Sequence, residues 1–426
     1  VAHFASDRPH LAGALALVVP ALVAPSLTAS RASAQEDVRT LPIRPLAPTE
    51  LAAVEPLLDR ALVTHIESTE FVELPQVTVI ARAEVGCDAV LAVARDVPAY
   101  ASFMPALDTV EAGAESEGAS SYDWTWQASV LSFRGRAATS VVAEGDGASG
   151  FRVVFEMLEG DLGRARRVLR GTPVPGDRPR CQLVLAGRQD ARNSNYLTRE
   201  SAGSSLTLSR SLSLVLSIAT VARIRGEAER RAGAARPRIA EPLGDPRSLD
   251  VDPAALGLLI ARGETFVIET TDGSDLGTIV GLARFLFPAE RVRAAFFDPV
   301  HFTVGLLHGA TITELAREER LARYGWNVDV PFIGSSGELT IRDVAEDEVE
   351  LEAISGAMRG GRMVLTTRPA DGPNTYAALG ARLDPSDGVP IVAAIESTDP
   401  AFRPGLVASG MLMAFRGLRR GMNEGH

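Results

Sequence analysis

The chain contains no lysine, and all 43 of its basic residues are arginine. That absence excludes a Schiff-base lysine, a P-loop lysine and a Ser–Lys dyad. Cysteine is nearly absent too, with Cys87 and Cys181 the two present. An oxidising compartment permits a bridge between them, but two cysteines do not make a disulfide scaffold, so the sequence leaves their pairing open. Histidine is scarce after the apolar leader: His65, His301, His308 and His426 remain. His301 and His308 could share a helix face, yet none of the four stands at metal-ligand spacing from a Cys, Asp or Glu set, and no metal site is expected. A Gly-x-Ser-x-Gly elbow and a strand-borne Gly-x-Gly-x-x-Gly are both missing. Serine-hydrolase and dinucleotide readings therefore lack support, and no cofactor is expected. The net charge of −11 speaks against a nucleic-acid partner, whose phosphates require a basic field.

What is present is a long repeat. At one fixed offset of 202 residues, Leu57, Arg60, Ile66, Glu67, Thr69, Leu74, Ala81 and Arg82 recur as Leu259, Arg262, Ile268, Glu269, Thr271, Leu276, Ala283 and Arg284. Val90, Ala92, Asp96, Thr109, Ala114, Tyr122, Trp124 and Gly135 recur as Val292, Ala294, Asp298, Thr311, Ala316, Tyr324, Trp326 and Gly337. These are 16 of the 17 identities over the 79 positions from 57 to 135, without a gap; the other is Glu117 with Glu319. The period is too long for a solenoid unit, so the repeated object is a domain.

Residues 1–34 read as an export signal: Leu11 to Leu27 is apolar apart from Ser26, and Ala32-Ser33-Ala34 offers a cleavage site. The stretch is short for a bilayer span and broken by Pro20 and Pro25, so no integral span is expected in the mature chain. This places the mature protein outside the cytoplasm, in a periplasmic or extracellular setting. An extended arm follows at 35–48. The first domain is expected over 49–231, a linker rich in Ala, Arg, Gly and Pro over 232–248, and the second domain over 249–426.

Within the first copy, Thr49 reads as the N-cap of a short helix bearing Leu51, Val54, Leu57 and Leu58. Strands are expected around 62–67 and 76–85, then a helix opened by Gly86-Cys87-Asp88. Tyr122, Trp124 and Trp126 alternate onto one strand face. Strands at 150–158, 166–172 and 181–188 follow, and a helix over 206–231 closes the copy. The second copy repeats this order and ends in a helix over 406–422. The class is α+β.

These residues resemble a family. Gly86-Cys87-Asp88-Ala89-Val90, then Asp96-Val97-Pro98-Ala99-Tyr100 and Phe103-Met104-Pro105, look like the START-like or SRPBCC superfamily, nearest its coenzyme Q-binding and polyketide cyclase/dehydrase branch. Copy two has Pro288-Ala289-Glu290-Arg291-Val292 and Asp298 to Phe302, but Gly305-Leu306-Leu307 replaces Phe-Met-Pro. The resemblance implies two tandem helix-grip domains, each an antiparallel sheet closed by a long C-terminal helix over an apolar cavity. It further implies lipids, sterols, quinones or aromatic polyketides as ligands, and it carries over no catalytic residue.

Tyr122, Trp124 and Trp126 are the best ligand-facing candidates, set against simple packing under the closing helix. Tyr100, Phe103, Met104 and Phe302 would form cavity mouths, and Tyr324 and Trp326 are the second copy's counterparts. Asp96 and Asp298 read as backbone-bonding turn carboxylates ahead of any role as a base. The run Arg164, Arg166, Arg167, Arg170, Arg178, Arg180, Arg188 and Arg192 reads as a solvated strand face ahead of a site for an anionic headgroup. The leading expectation is an exported carrier or sensor of a hydrophobic small molecule, without catalysis. A cyclase- or dehydratase-type enzyme using Tyr122, Asp96 or Tyr324 is the alternative, and a module with collapsed cavities is the third. Copy one, richer in aromatic surface, is expected to bind more tightly than copy two.

Overall fold

The computed structural model describes residues 37–424 except 68–73, 106, 117, 129–130, 143–149, 193, 196–205, 235–245, 247–250, 270–276, 299–309, 329–333, 385 and 389. The leader at 1–34, His301, Phe302, Gly305-Leu306-Leu307, His308 and His426 lie outside the described residues.

Both repeats share the order helix, two strands, helix, six strands and a long closing helix. The first has α1 (Pro48–Val54), β1 (Ala61–Glu67), β2 (Val77–Ala83), α2 (Cys87–Ala94), the single turn α3 (Tyr100–Phe103) and six strands. These are β3 (Leu107–Ser116), β4 (Ala119–Ala128), β5 (Leu131–Val142), β6 (Phe151–Gly160), β7 (Arg164–Val174) and β8 (Arg180–Asp190), followed by α4 (Leu206–Arg231). The second has α5 (Gly257–Ile260), β9 (Gly263–Glu269), β10 (Ile279–Phe285), α6 (Ala289–Phe297), β11 (Ala310–Glu318), β12 (Leu321–Val328) and β13 (Ser335–Ala345). It continues through β14 (Glu348–Gly356), β15 (Arg362–Pro369), β16 (Thr375–Arg382) and α7 (Pro390–Thr398) to a 3-10 turn (Pro400–Phe402) and α8 (Arg403–Glu424).

Local chemistry sets the element ends. α1 starts one residue ahead of the expected cap: Pro48 occupies the first helical position, where its missing N–H costs nothing. Glu50 Oε2 instead accepts the Ala47 amide at 2.7 Å. Gly86 caps α2, with Asp88 in the first turn facing the helix dipole.

The α+β expectation holds, but the sheets of the two copies are not separate. All 16 described strands form one antiparallel sheet in the order β11-β12-β13-β14-β15-β16-β10-β9-β1-β2-β8-β7-β6-β5-β4-β3. The join is a seven-pair ladder between β1 and β9. Thr64 pairs with Phe266, and these two lie 202 positions apart, which is the repeat offset. A pseudo-twofold axis therefore passes through that pair, and the duplication packs as an isologous dimer would.

The long helices obey the same symmetry. α4 and α8 run antiparallel over one sheet face, with Ser409 Oγ donating to the Ser211 carbonyl at 3.4 Å. A Cβ on Gly405 would stand 2.8 Å from Val215 Cα, so glycine there permits the close crossing. Beneath them Glu264 is fully buried against Arg416 and Arg419 of α8. Burial pushes this carboxyl upward, but Arg419 and Arg416 outweigh it and hold it below the usual carboxylate range.

On the opposite face a second apolar cluster joins Val54 and Leu58 to Leu256, Leu259 and Ile260. Strands β1, β2 and β9 are thus covered on both sides and buried almost throughout, which is why polar Thr64, His65 and Thr265 are inaccessible there. Cys87 and Cys181 are bonded, tying the first turn of α2 to β8 across 94 residues.

Candidate functional site

Strand alternation brings the aromatic candidates together. Tyr122, Trp124 and Trp126 share the β4 face beneath α4 and line a cavity of ≈ 120 Å³ with Met104, Phe155, Met157 and Leu216. Trp126 stacks on Phe133 of β5, ring centroids 4.8 Å apart. Trp124 lies over Gly135 of the neighbouring strand, where a Cβ would come 2.6 Å from the indole. The second copy repeats this arrangement with Trp326 over Gly337. Two of the recurring identities therefore form one cross-strand pair, the aromatic ring covering the bare glycine backbone.

Other candidates fall elsewhere. Tyr100 is fully buried, its hydroxyl donating to the Ala94 carbonyl, and its ring meets Phe103 and Tyr122 edge-on at 5.7 and 5.6 Å. Phe103 is buried beside it and carries the Arg231 guanidinium on its ring face. Both belong to the packing behind the cavity, not to its lining. Tyr324 is buried and donates to the Phe297 carbonyl at 3.3 Å while accepting from Arg317. Trp326 is partly exposed. Asp96 does not bond the turn backbone with its side chain, contrary to expectation; it pairs with Arg231 at the end of α4, 2.8 Å away. That pairing suits the C-terminal dipole, which also favours the cation.

The polar residue that sequence reasoning misplaced is Arg167. Within a basic run it reads as a solvated strand face, but its side chain is buried and lines the cavity. Burial pulls its pKa down to about 10, so it remains a cation at neutral pH. Nη2 donates to Gln189 Oε1 at 2.8 Å, and Gln189 Nε2 in turn donates to the Leu162 carbonyl at 3.0 Å. Nη1 reaches the Met157 thioether at 3.6 Å. Among the described residues no carboxylate lies within ion-pair distance of it. Its neutral partners engage two of the roughly five guanidinium donors. The signal available in the sequence was Gly187, opposite Arg167 in the β7–β8 register; a Cβ there would stand 2.5 Å from the arginine's Cγ. Arg188 also departs from a solvated face, its side chain 12 % exposed and donating to the Leu74 carbonyl at 2.6 Å.

Tyr122 is the second polar group in the cavity wall. Burial pushes its phenol up to about 12, so at neutral pH it is a hydrogen-bond donor and not a base. Glu156 is the third, its Oε1 3.5 Å from Arg166 Nε. Among the described residues no cluster of three or more His, Cys, Asp and Glu is placed to hold a metal, and no described helix is long and apolar enough to cross a membrane.

No family model and no curated protein sequence matches the chain. Solved structures do resemble it. They include the Zhui aromatase/cyclase of a Streptomyces species at 20% identity and TM-score 0.30, covering 38% of this chain and 99% of that one. A di-domain aromatase/cyclase of the steffimycin pathway covers 81% of this chain and 99% of its own at 10% identity and TM-score 0.27. A STAR-related lipid transfer protein of Xanthomonas axonopodis covers 44% and 98%, at 14% identity and TM-score 0.31. The likeness is to START-like structures. At these scores it carries no argument about activity, which rests on the cavity itself.

Proposed function

We propose that the first repeat binds a flat, apolar small molecule carrying an anionic or carbonyl oxygen, in the manner of a carrier or sensor. The observation that carries this reading is Arg167: a buried cation, held by neutral partners, in a wall built mostly from aromatic, aliphatic and thioether groups, whose carboxylate, Glu156, is set against Arg166. Leaving a charge so poorly compensated costs several kcal/mol in general, and a ligand oxygen would recover part of that. The aromatic faces supply the grip on a planar ring, and Tyr122 can donate to the same oxygen. Quinones and aromatic polyketide-like molecules contain such a combination, and a lipid would offer its carboxylate or ester oxygen without the ring.

Each repeat is read as a helix-grip domain, over 49–231 and 249–426, with 232–248 as the linker. Tyr122, Trp124, Trp126 and Met104 form the ligand-contacting set, joined now by Arg167. Export is supported by the leader-like residues 1–34 together with the Cys87–Cys181 bond, which an oxidising compartment preserves.

The cyclase reading is favoured by one feature, the convergence of Tyr122 and Arg167, which could polarise a carbonyl. It also needs a base. The carboxylate in the wall is Glu156, already placed against Arg166, and the other two titratable groups stay protonated at neutral pH. Binding without chemistry is the better fit. Native mass spectrometry of the purified protein, with solvent extraction, tests it: a co-purifying apolar molecule of discrete mass is expected. Protein that stays empty, and takes up no hydrophobic ligand offered, would contradict the reading.

A further inference from the structure

The first repeat's cavity is not built by the first repeat alone. Phe402, from the 3-10 turn that precedes α8 of the second repeat, lines it directly. The ring is 2% exposed and meets Trp126 edge-on at 6.1 Å. It packs in a small cluster with Val215, Leu216 and Ala219 of α4.

The turn carrying Phe402 is held by one carboxylate doing two jobs. Asp399 Oδ1 accepts the Ala401 amide at 2.8 Å, capping the turn. Both Asp399 oxygens also take Arg223 of α4, with Nε at 3.1 and 3.0 Å. Leu216, Thr220 and Arg223 follow at helical i, i+4 and i+7 spacing, so the anchor lies on the helix face that also walls the cavity.

Cavity size gives this arrangement its meaning. The ≈ 120 Å³ present is close to the roughly 150 Å³ known to hold a benzene-sized guest, so one ring fills it. The other lining residues come from the first repeat: its strands, α4, Met104 and Pro105 after α3, and Leu162 of the β6–β7 turn. Phe402 is the wall borrowed from outside that framework. We propose that Phe402 is a specificity-determining residue acting across the repeats, limiting the first repeat's cavity to a single-ring group, with Arg223–Asp399 as the positioning pair. The inference rests on the ligand-binding reading above and adds the size of the group admitted.

The test titrates the full chain by calorimetry with benzoate, 2-naphthoate and anthracene-2-carboxylate, which share one anionic group for Arg167 and differ in ring count. Wild type should favour benzoate. Phe402→Ala should shift preference toward the larger rings on the order of tenfold, and Phe402→Trp should weaken all three. Asp399→Asn retains an oxygen for the Ala401 cap and should move preference in the direction of Phe402→Ala, yet add nothing in the Phe402→Ala background. An unchanged ring-size preference in Phe402→Ala, or an additive Asp399→Asn effect, would overturn the proposal. Should wild type bind none of the three, the ligand reading fails, and acrylamide quenching of ligand-free tryptophan fluorescence then decides the wall itself. Phe402→Ala should raise quenching through exposure of Trp126; equal quenching overturns the inference independently.

Discussion

His65 lies in the β1–β9 ladder one position from the pseudo-twofold pair, its Nδ1 3.2 Å from Thr265 Oγ1. Burial, reinforced by Arg262, lowers its pKa to about 4 against the opposing pull of Glu67, Glu264 and Glu50. The imidazole is therefore neutral in the fold, while the unfolded chain takes up a proton below about 6.5. Stability present above pH 6.5 is lost as pH falls toward 4, by about 3 kcal/mol for this group. Urea melts of wild type and His65→Gln across that range should diverge by this order, the wild type losing more; parallel curves would show the histidine to be solvated. At the same scale, Tyr122, Trp124 and Trp126 were readable because a period of two places them on one face. Arg167 was not, since burial of a charged residue depends on what covers the strand and not on its own neighbours in sequence.

Among elements, the long helices were legible from their apolar stripes, and α4 spans the expected 206–231. β3 and β5 were missed. β3 reads Leu-Asp-Thr-Val-Glu-Ala-Gly-Ala-Glu-Ser, rich in residues that strands disfavour, and it occupies a sheet edge where charge blunts unwanted pairing. The Cys87–Cys181 bond is the strongest covalent tie between elements, holding α2 to β8. Closing so long a loop restrains the unfolded chain, and replacing both cysteines by alanine should cost about 2–4 kcal/mol. Chemical denaturation with and without reductant checks this: reductant should destabilise the wild type and leave the double variant unchanged. A reductant-insensitive wild type would mean that the bond contributes nothing.

For the whole molecule, the sequence showed the duplication but not its geometry. A fixed offset cannot say whether two copies sit apart or share a sheet; that depends on β1 and β9 pairing edge to edge, as the buried faces of both strands require. The shared sheet and the antiparallel α4–α8 packing place the second repeat's Phe402 at the first repeat's cavity. The proposed binding role requires that Arg167 is kept buried for a ligand and not for the protein's own stability. Calorimetric titration with benzoate, paired with thermal melts, of wild type and Arg167→Met tests it most directly. Affinity should fall at least about tenfold, because a charge-assisted hydrogen bond is lost, while stability stays equal or rises by about 1 kcal/mol. Undiminished affinity, or a variant markedly less stable than wild type, would show that Arg167 does not serve a ligand.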